Sequence, residues 1–102
     1  MPGNSFDERC YELLKQIPKG RVTTYKLMAE ALGTKAYRAV GNAMAKNPEP
    51  VTVPCHRVVK SDGEIGGYAL GVAKKIELLE SEGISIKDGK VENLPALLYR
   101  FE

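Results

Sequence analysis

The sequence predicts a mainly helical domain with a short β element, and three observations support this fold class. Apolar residues recur at helical spacing in four separate stretches of the 102-residue chain. A tight turn containing Gly33 joins the second and third stretches, which is the layout of a helix-turn-helix. The β signals are confined to a group of valines near Cys55 and to a hairpin pattern close to the C-terminus.

The composition is that of one soluble globular domain. The formal net charge is +2, with 43% hydrophobic and 27% charged residues, so charge alone does not indicate a nucleic-acid partner. Since no apolar run is long enough to span a bilayer and no signal peptide is evident, we expect an intracellular protein, cytoplasmic or nucleoid-associated. Cys10 and Cys55 have neither metal-binding spacing nor a disulfide framework, and the single histidine adjoins Cys55. We therefore expect no metal and no cofactor.

The first predicted helix runs from Asn4 to Ile17. Ser5 and Glu8 form a capping box at its start, and the Pro-Lys-Gly that follows Ile17 ends it. Cys10 falls on the apolar stripe, so we expect it to be a packing residue. The stripe consists of Phe6, Cys10, Leu13, Leu14 and Ile17.

The second and third predicted helices form the helix-turn-helix. Thr24 is the expected N-cap of the second helix, which ends near Gly33, and Thr34 is the expected N-cap of a third helix from Lys35 to about Asn47. The exposed face of the third helix is basic and otherwise small or neutral, which suits close approach to a nucleic-acid groove but also fits an ordinary solvent-facing surface. That face carries Lys35, Arg38, Asn42 and Ala45.

The rest of the chain predicts a glycine-rich loop, a helix, a hairpin and an apolar tail. The loop 66–71 allows backbone to approach a ligand closely, and Tyr68 is able to stack on a flat one, although a flexible connection fits equally well. A helix is expected from Val72 to about Ser81. Residues 84–91 alternate about an Asp-Gly pair, which predicts a hairpin, and residues 94–101 are expected to cover an edge of the core.

The stretch Val53-Pro54-Cys55-His56-Arg57-Val58-Val59 carries the clearest chemistry. A short buried strand, 51–53, is expected to end at Pro54, because proline has no N–H to donate to a sheet. Cys55 then faces a cleft, where His56 accepts its proton and the Arg57 guanidinium favours the thiolate. A lone buried cysteine is as often a core residue. Neighbouring strand residues also point to opposite faces, so Cys55 and His56 need a turn or a bridging water to cooperate.

The sequence Pro54-Cys55-His56-Arg57-Val58 resembles the active-site motif of the O6-alkylguanine-DNA alkyltransferases, also called methylated-DNA–protein-cysteine methyltransferases. The resemblance extends from about residue 6 to residue 83. It implies that residues 1–102 form one winged-helix-like helix-turn-helix domain carrying the active-site cysteine, equivalent to the family's C-terminal active domain, with a hairpin and tail at 84–102.

The family's reaction implies a DNA repair protein that flips O6-alkylguanine out of the duplex and transfers the alkyl group irreversibly to its own cysteine. Cys55 is similar to the alkyl acceptor, His56 to the base that deprotonates it through a water, and Glu82 to the acid that orients the histidine. Asn47 is similar to the asparagine that braces the turn between helix and active site. The implied partner is double-stranded DNA containing O6-alkylguanine, bound by a monomer without cofactor or membrane contact.

The resemblance also assigns DNA-binding and pocket residues. Tyr25 is similar to the tyrosine that helps expel and bind the target nucleotide, and Arg38 to the arginine that fills the gap left by the flipped guanine. Met44 and Tyr68 would line the base pocket, together with backbone groups near the cysteine and Val58. The DNA-facing side of the third helix would be completed by Lys35, Asn42 and Ala45.

Two departures and two alternatives accompany this assignment. A serine often found after the pocket tyrosine is Ala69 here, and the tail from Ile84 is longer than expected. Alkyltransferase-like proteins carry tryptophan in place of the cysteine and only bind the lesion, so a non-catalytic lesion-recognition protein is the first alternative, although Cys55 favours transfer. The second is an unrelated cysteine hydrolase using Cys55, His56 and Asn47, but adjacent Cys and His are not the usual dyad geometry.

Overall fold

A computed structural model describes residues 6–47, 49, 52–68 and 70–101. Within these residues a 3-10 helix spans Cys55–Arg57, and two sheets of two strands each accompany the helices. The fold is mainly helical with short β elements, which confirms the predicted class. The other elements, in chain order, are α1 (Phe6–Leu14), β1 (Thr23–Thr24), α2 (Tyr25–Ala31), α3 (Tyr37–Ala45), β2 (Val58–Val59), α4 (Val72–Ser81), β3 (Ile86–Lys87), β4 (Lys90–Val91) and α5 (Leu94–Leu97).

Helices α2 and α3 form the predicted helix-turn-helix. The Thr24 hydroxyl accepts a hydrogen bond from the Leu27 N–H at 3.1 Å, which confirms Thr24 as the N-cap of α2. At the other end the Thr34 N–H bonds the Ala29 carbonyl at 3.0 Å, and Gly33 has a φ of +73°. These are the features of a Schellman motif, which reverses the chain directly after α2.

Helix α3 starts later than predicted, at Tyr37 rather than Lys35. Its N-cap position is Ala36, which has no side-chain acceptor, so the prediction that Thr34 caps this helix is wrong. The Thr34 backbone already closes the end of α2, and its hydroxyl accepts from the Ala36 N–H at 3.1 Å within the connecting turn. Two more residues are therefore needed before the chain re-enters a helix.

The parallel pairing of β1 with β2 places the chemically active stretch. Thr23 lies opposite Val58, and Thr24 opposite Val59. Of the strand expected before the cysteine, Thr52 lies in a turn and Val53 makes only an isolated β-bridge, whereas the continuous strand forms at Val58, after the 3-10 helix. Proline and the 3-10 helix redirect the chain first, so the valines after the cysteine make the ladder.

The C-terminal tail pairs with Val22, directly before β1, and so covers an edge of the core as predicted. The Val22 N–H donates to the Leu97 carbonyl at 3.0 Å, and the Tyr99 N–H donates to the Val22 carbonyl at 2.6 Å. The tail is therefore held by backbone pairing, with a parallel bridge between Val22 and Leu98, in addition to apolar contact. The one-turn helix α5 that precedes this pairing was not expected from the sequence.

Two buried clusters lie on either side of the β1–β2 pair. Cys10, Cys55 and Val58 belong to the first, with the apolar faces of α1, α2 and α3, so Cys10 is the packing residue that the sequence predicted. Val59 belongs to the second, with residues of α4 and the hairpin. Adjacent strand residues thus serve opposite faces.

Several other predictions have a clear outcome. Helix α4 has the predicted bounds, and β3 and β4 pair in antiparallel register about Asp88 and Gly89, which confirms the hairpin. Helix α1 ends at Leu14, not Ile17.

None of the helices in the described part of the chain has the length and apolar character to cross a membrane. The following predicted features lie outside the described residues: the helix start at Asn4, the cap Ser5, the strand residue Val51 and the departure at Ala69.

Candidate active site

The 3-10 helix turns Cys55 and His56 into the protein together. Cys55 is 3% exposed and His56 is fully buried. The turn is closed by the Cys55 N–H on the Val53 carbonyl at 2.8 Å and the Arg57 N–H on the Pro54 carbonyl at 3.0 Å. The turn that the adjacent cysteine and histidine require for cooperation is therefore present, with side chains spaced about three to a turn instead of alternating.

A pocket of about 290 Å³ opens beside the cysteine. Its volume is near the lower end for small-molecule sites, and its walls are aromatic side chains, a methionine and small residues. Three predicted pocket residues, Tyr25, Met44 and Tyr68, line it. The complete lining among the described residues is Tyr25, Gly41, Met44, Ala45, Cys55, Gly67 and Tyr68.

Val58, expected at the pocket through its backbone groups, is not among these lining residues. Its side chain is fully buried in the first cluster, and its carbonyl accepts a hydrogen bond from the Lys75 ammonium at 2.7 Å. Strand pairing fixes this orientation, because the parallel ladder with β1 turns the Val58 side chain toward the helices.

The glycine-rich loop closes against the pocket tyrosine at Gly66. This residue has a φ of +72°, and a Cβ there would lie 3.2 Å from Tyr25 Oη. Both the left-handed backbone and the close approach require glycine. The loop therefore presents backbone to one side of Tyr25 and keeps that ring in place.

His56 and Arg57 converge on the Glu82 carboxylate. His56 Nε2 lies 2.8 Å from Glu82 Oε2, Arg57 Nε donates to Oε1 at 2.9 Å, and Arg57 Nη2 donates to Oε2 at 2.8 Å. Burial opposes ionisation of Glu82, but the hydrogen bonds from Arg57 and His56 hold its pKa below the ordinary value. An ionised carboxylate only accepts, so Nε2 of His56 carries the proton.

The other ring nitrogen of His56 is left with a lone pair. Burial lowers the His56 pKa, although the hydrogen bond to Glu82 works in the opposite direction, so the ring is neutral at pH 7. With the proton on Nε2, Nδ1 is unprotonated, and this buried atom has no hydrogen-bond partner among the described residues. His56 is thus held as a neutral base whose acceptor atom is available.

Helix α4 delivers Glu82 through a second Schellman motif. The Ile84 N–H bonds the Leu79 carbonyl at 3.1 Å, and Gly83 has a φ of +87°. Glu82 is the C-cap residue of α4, a position where the helix dipole disfavours a negative charge. The bidentate Arg57 offsets that cost.

The structure corrects the expected role of Arg57. Its guanidinium is engaged by Glu82 and by the Ile17 carbonyl, to which Nη1 donates at 2.7 Å. The cation that acts on the Cys55 thiol is instead Lys75. The planar fork of arginine matches a carboxylate, so Arg57 orients Glu82 and does not directly favour the thiolate.

Asn47 bridges the segments on either side of the connection to Cys55. Its Nδ2 donates to the Val53 carbonyl at 2.7 Å, and its Oδ1 accepts from the Glu49 N–H at 2.9 Å. Burial raises the Cys55 pKa above its ordinary value, while a hydrogen bond from Asn47 and the charge of Lys75 act in the opposite direction. The resting cysteine at pH 7 is therefore the thiol.

Lys75 is a buried site residue that the sequence prediction missed. It is fully buried, and its ammonium donates to the carbonyls of Val58 at 2.7 Å and Gly67 at 3.1 Å. Burial lowers its pKa to about 8. Its spacing of four residues from Leu79 places it on the buried stripe of α4, and this was the signal available in the sequence.

The outer face of α3 leads from solvent to the pocket. Arg38 is exposed one turn before Gly41, and Ala45 lies one turn beyond Gly41. Residues three and four apart share a helix face, so Arg38 lies on the stripe that ends in the pocket. Asn42 is also exposed on α3, whereas Lys35 is exposed in the turn before the helix.

A second, shallower hollow of about 330 Å³ also uses Tyr25. Lys26 and Lys60 give it two positive charges, and Tyr37, 44% exposed, gives it an aromatic surface. Ser61 completes the lining. Lys26, Tyr37, Lys60 and Ser61 were not predicted as site residues, because each looks like an ordinary surface position when the fold is unknown.

The arrangement can carry out one kind of chemistry directly. A buried thiol lines a pocket of aromatic and small residues, and a neutral histidine with a free lone pair is its neighbour in the chain. Such a site can deprotonate the thiol and displace a leaving group from a carbon atom held in the pocket.

Comparisons with known proteins identify the family. A sequence profile described as the 6-O-methylguanine DNA methyltransferase, DNA binding domain, matches residues 5–84. The methylated-DNA–protein-cysteine methyltransferase of Pyrobaculum aerophilum is 58% identical over 80 residues, which are 78% of this chain and 53% of that protein. The chain spans about half the length, or less, of the curated relatives it matches first.

Two solved structures share the fold. The O6-methylguanine-DNA methyltransferase of Pyrococcus kodakaraensis strain KOD1 is 50% identical, with a TM-score of 0.73, over 79% of this chain and 47% of that one. The S. pombe Atl1 structure, in complex with damaged DNA containing O6-carboxymethylguanine, is 34% identical, with a TM-score of 0.81, over 99% of this chain and 100% of that one. The chain thus belongs to the 6-O-methylguanine DNA methyltransferase family, and residues 5–84 are its DNA-binding domain.

Proposed function

We propose that this protein repairs DNA by flipping O6-alkylguanine out of the duplex and transferring the alkyl group irreversibly to Cys55. The observation that carries the proposal is the position of Cys55 in the pocket wall, next to a neutral His56 that is oriented by Glu82. Residues 6–83 would be the active core and 84–102 a supporting hairpin and tail, in a monomer. Such a substrate implies an intracellular, DNA-associated protein.

The reaction is a one-step displacement. His56 Nδ1 takes the Cys55 proton through a water, and Sγ forms a bond to the alkyl carbon as the bond from that carbon to guanine O6 breaks. The departing guanine takes up a proton, so thiol and alkylguanine become thioether and guanine. A thioether has no good leaving group, and each molecule therefore acts once.

The outer face of α3 supplies a route by which a base enters the pocket. O6 of guanine is inside the duplex, so the base must be extruded before a 3%-exposed thiol can reach it. Arg38 lies on the same helical stripe as Gly41 and Ala45 at the pocket, where its side chain could occupy the gap in the base stack. Tyr25 would then contact the flipped nucleotide, and Lys26 and Lys60 the strand's phosphates.

A non-catalytic lesion sensor is the second candidate. Two observations favour it: the Atl1 structure matches essentially the whole chain, tail included, and burial raises the Cys55 pKa, which leaves a resting thiol. A sensor would use the same pocket and the same outer face of α3, with Cys55 acting as a small wall residue.

Intact-mass analysis after incubation with a duplex carrying one O6-methylguanine separates the two. Transfer predicts a gain of one methyl group, mapped to the peptide containing Cys55, and loss of the lesion from the DNA in equal amount. Cys55→Ser should gain nothing while still binding the duplex, and Cys10→Ala, which leaves Cys55 intact, should be alkylated.

Each other outcome contradicts the proposal in a distinct way. Tight binding of the duplex without a mass gain would identify a lesion sensor. Neither binding nor mass gain would mean that the chain shares the family's fold without its activity. Methylation of Cys10 instead of Cys55 would show that the pocket has been misassigned.

A further inference from the structure

Lys75 links the strand that follows Cys55 to two walls of the pocket, the glycine-rich loop and Tyr25. Its ammonium bonds the Val58 carbonyl of β2 at 2.7 Å and the Gly67 carbonyl of the glycine-rich loop at 3.1 Å. The same nitrogen is 6.0 Å from the centre of the Tyr25 ring on α2. A lysine ammonium has three donors, and these contacts hold it at one place in the protein.

Burying a charged lysine costs free energy. A charged ammonium removed from water loses several kcal/mol of hydration, and two carbonyls and a ring face recover only part of that. A leucine or methionine at this buried point of α4 would avoid that loss of hydration. A cation retained here therefore indicates a use for its charge.

The Cys55 thiol is the group for which that charge has a chemical use. The positive charge of Lys75 favours the Cys55 thiolate, and a Cys55 thiolate in turn favours the charged form of Lys75. Arg57 does not compete for this role, because Glu82 and the Ile17 carbonyl occupy its donors. The other ionisable groups that face the pair are Tyr11 from α1, Tyr25 from α2, His56 from the 3-10 helix and Tyr68 from the loop.

We propose that Lys75 is a positioning residue with an electrostatic function: it fixes β2, the glycine-rich loop and Tyr25 around the pocket, and its fixed charge stabilises the Cys55 thiolate as it forms. The inference deepens the proposed function, since it concerns the same thiol. It does not depend on which electrophile the pocket receives.

The pH profile of Cys55 alkylation by iodoacetamide tests the charge. The rate is read from the Cys55 peptide, so Cys10 does not contribute. Lys75→Met should shift the profile to higher pH and slow the reaction about tenfold at pH 7, the equivalent of one pKa unit. Lys75→Arg retains the charge and should stay within about threefold of the wild type.

Lys74→Met is the matched control, because Lys74 is the adjacent residue on α4 but reaches only the exposed Glu77, at 3.4 Å. It should leave the profile unchanged. A Lys75→Met profile that coincides with the wild type, in a protein that folds, would overturn the electrostatic role and leave Lys75 only a structural one. Equal shifts in Lys74→Met and Lys75→Met would overturn it as well.

A measurement that keeps Lys75 in place covers the case in which Lys75→Met does not fold. In protein labelled with ¹³C at lysine Cε, the Lys75 signal is assigned by its loss in Lys75→Arg and followed with pH. Because coupling between two charges is reciprocal, Cys55→Asp, which places a carboxylate where the thiolate would form, should raise the pH at which Lys75 titrates above that in Cys55→Ser. An unchanged titration would overturn the inference.

These tests are independent of the repair reaction. Iodoacetamide needs no recognition of a base, so a protein that fails to demethylate DNA but shows the Lys75 shift would refute the proposed function alone. Methyl transfer to Cys55 in wild type with no Lys75 shift would refute this inference alone.

Discussion

Burial keeps both Cys55 and His56 uncharged in the resting protein. It raises the pKa of the thiol and lowers the pKa of the imidazole, so the pair rests as neutral thiol and neutral base. In the proposed reaction, a thiolate would therefore form only when a proton is drawn toward His56 Nδ1. This suits a nucleophile that is consumed by a single event, because a permanently ionised thiolate would react with any electrophile.

Glu82→Gln should destabilise the protein and slow alkylation of Cys55. Arg57 is 15% exposed at the side chain and Glu82 is 7% exposed, so removing the carboxylate leaves a largely buried guanidinium without its counter-charge. Breaking such a pair costs about 3 kcal/mol, measurable as a lower urea midpoint at pH 7. Glu80→Gln, an exposed neighbour on α4, should leave the midpoint in place.

The same variant should alter the pH dependence of unfolding. The folded pKa of Glu82 is depressed, so its contribution is present above its unfolded pKa, about 4.5, and is lost as pH falls through the folded pKa. The folded pKa of His56 is also depressed, so the stability that it contributes is likewise lost on acidification, beginning near pH 6.5. The urea midpoint of Glu82→Gln should fall less steeply with acidification below pH 5, and parallel curves would contradict the ion pair's role.

At the scale of elements, helix ends decide where the functional side chains lie. Schellman motifs close both α2 and α4, with Gly33 and Gly83 at positive φ. The first turns the chain into α3, and the second directs Glu82 to His56. Local glycine signals were enough to predict both ends, whereas the partner of Glu82 required the tertiary fold.

Arg38→Ala tests whether the outer face of α3 contacts duplex DNA as proposed. Arg38 is exposed on the stripe that leads to the pocket, so it should matter only when a base has to leave a stack. We expect repair of duplex O6-methylguanine to slow about tenfold or more, since unstacking costs a few kcal/mol. Reaction with free O6-alkylguanine should change little.

The matched control is Lys35→Ala, which removes a cation of the same sign just outside α3. It should weaken duplex binding modestly and in a salt-dependent way. It should not produce the large difference between the duplex and free-base reaction rates that is expected for Arg38→Ala. Equal losses of Arg38→Ala on both substrates would show that the arginine acts on the protein's own structure.

At the scale of the whole molecule, hydrophobic periodicity predicted the helices and the hairpin, which depend on residues close in sequence. It did not predict the pairing of segments that are distant in sequence. The stripes of α1, α3 and α4 and the Asp-Gly hairpin follow from residues close in sequence, so their existence was predictable. The parallel β1–β2 pair joins segments more than thirty residues apart, and two-residue strands have no sequence pattern of their own. Lys75 was missed because a Lys-Lys pair on a helix looks exposed until its stripe is compared with Leu79.

The resemblance supplied the site residues that periodicity could not, and the fold brings most of them together. Tyr25, Met44 and Tyr68 share the pocket with Cys55, and Glu82 meets His56. The Arg57 role was misjudged because proximity in sequence to Cys55 concealed its closer partner, Glu82.

The C-terminal tail joins the two halves of the core, and this gives the last prediction. Leu94 and Leu97 pack on the second cluster, whereas Tyr99 and Phe101 pack on the first, with their rings edge to face at 5.3 Å. Between them the backbone pairs with Val22 at the edge of β1. Removing the two rings should therefore weaken the cluster that contains Cys55.

The double variant Tyr99→Ala/Phe101→Ala should lower the free energy of unfolding by about 3 kcal/mol, because two partly buried rings lose both their burial and their mutual contact. Urea unfolding measures the loss. Arg100→Ala is the control, since Arg100 lies between the two rings in sequence and is exposed. If both variants unfold at the same urea concentration, the two rings do not stabilise the core. If only the double variant is destabilised, residues far from Cys55 in sequence support its pocket.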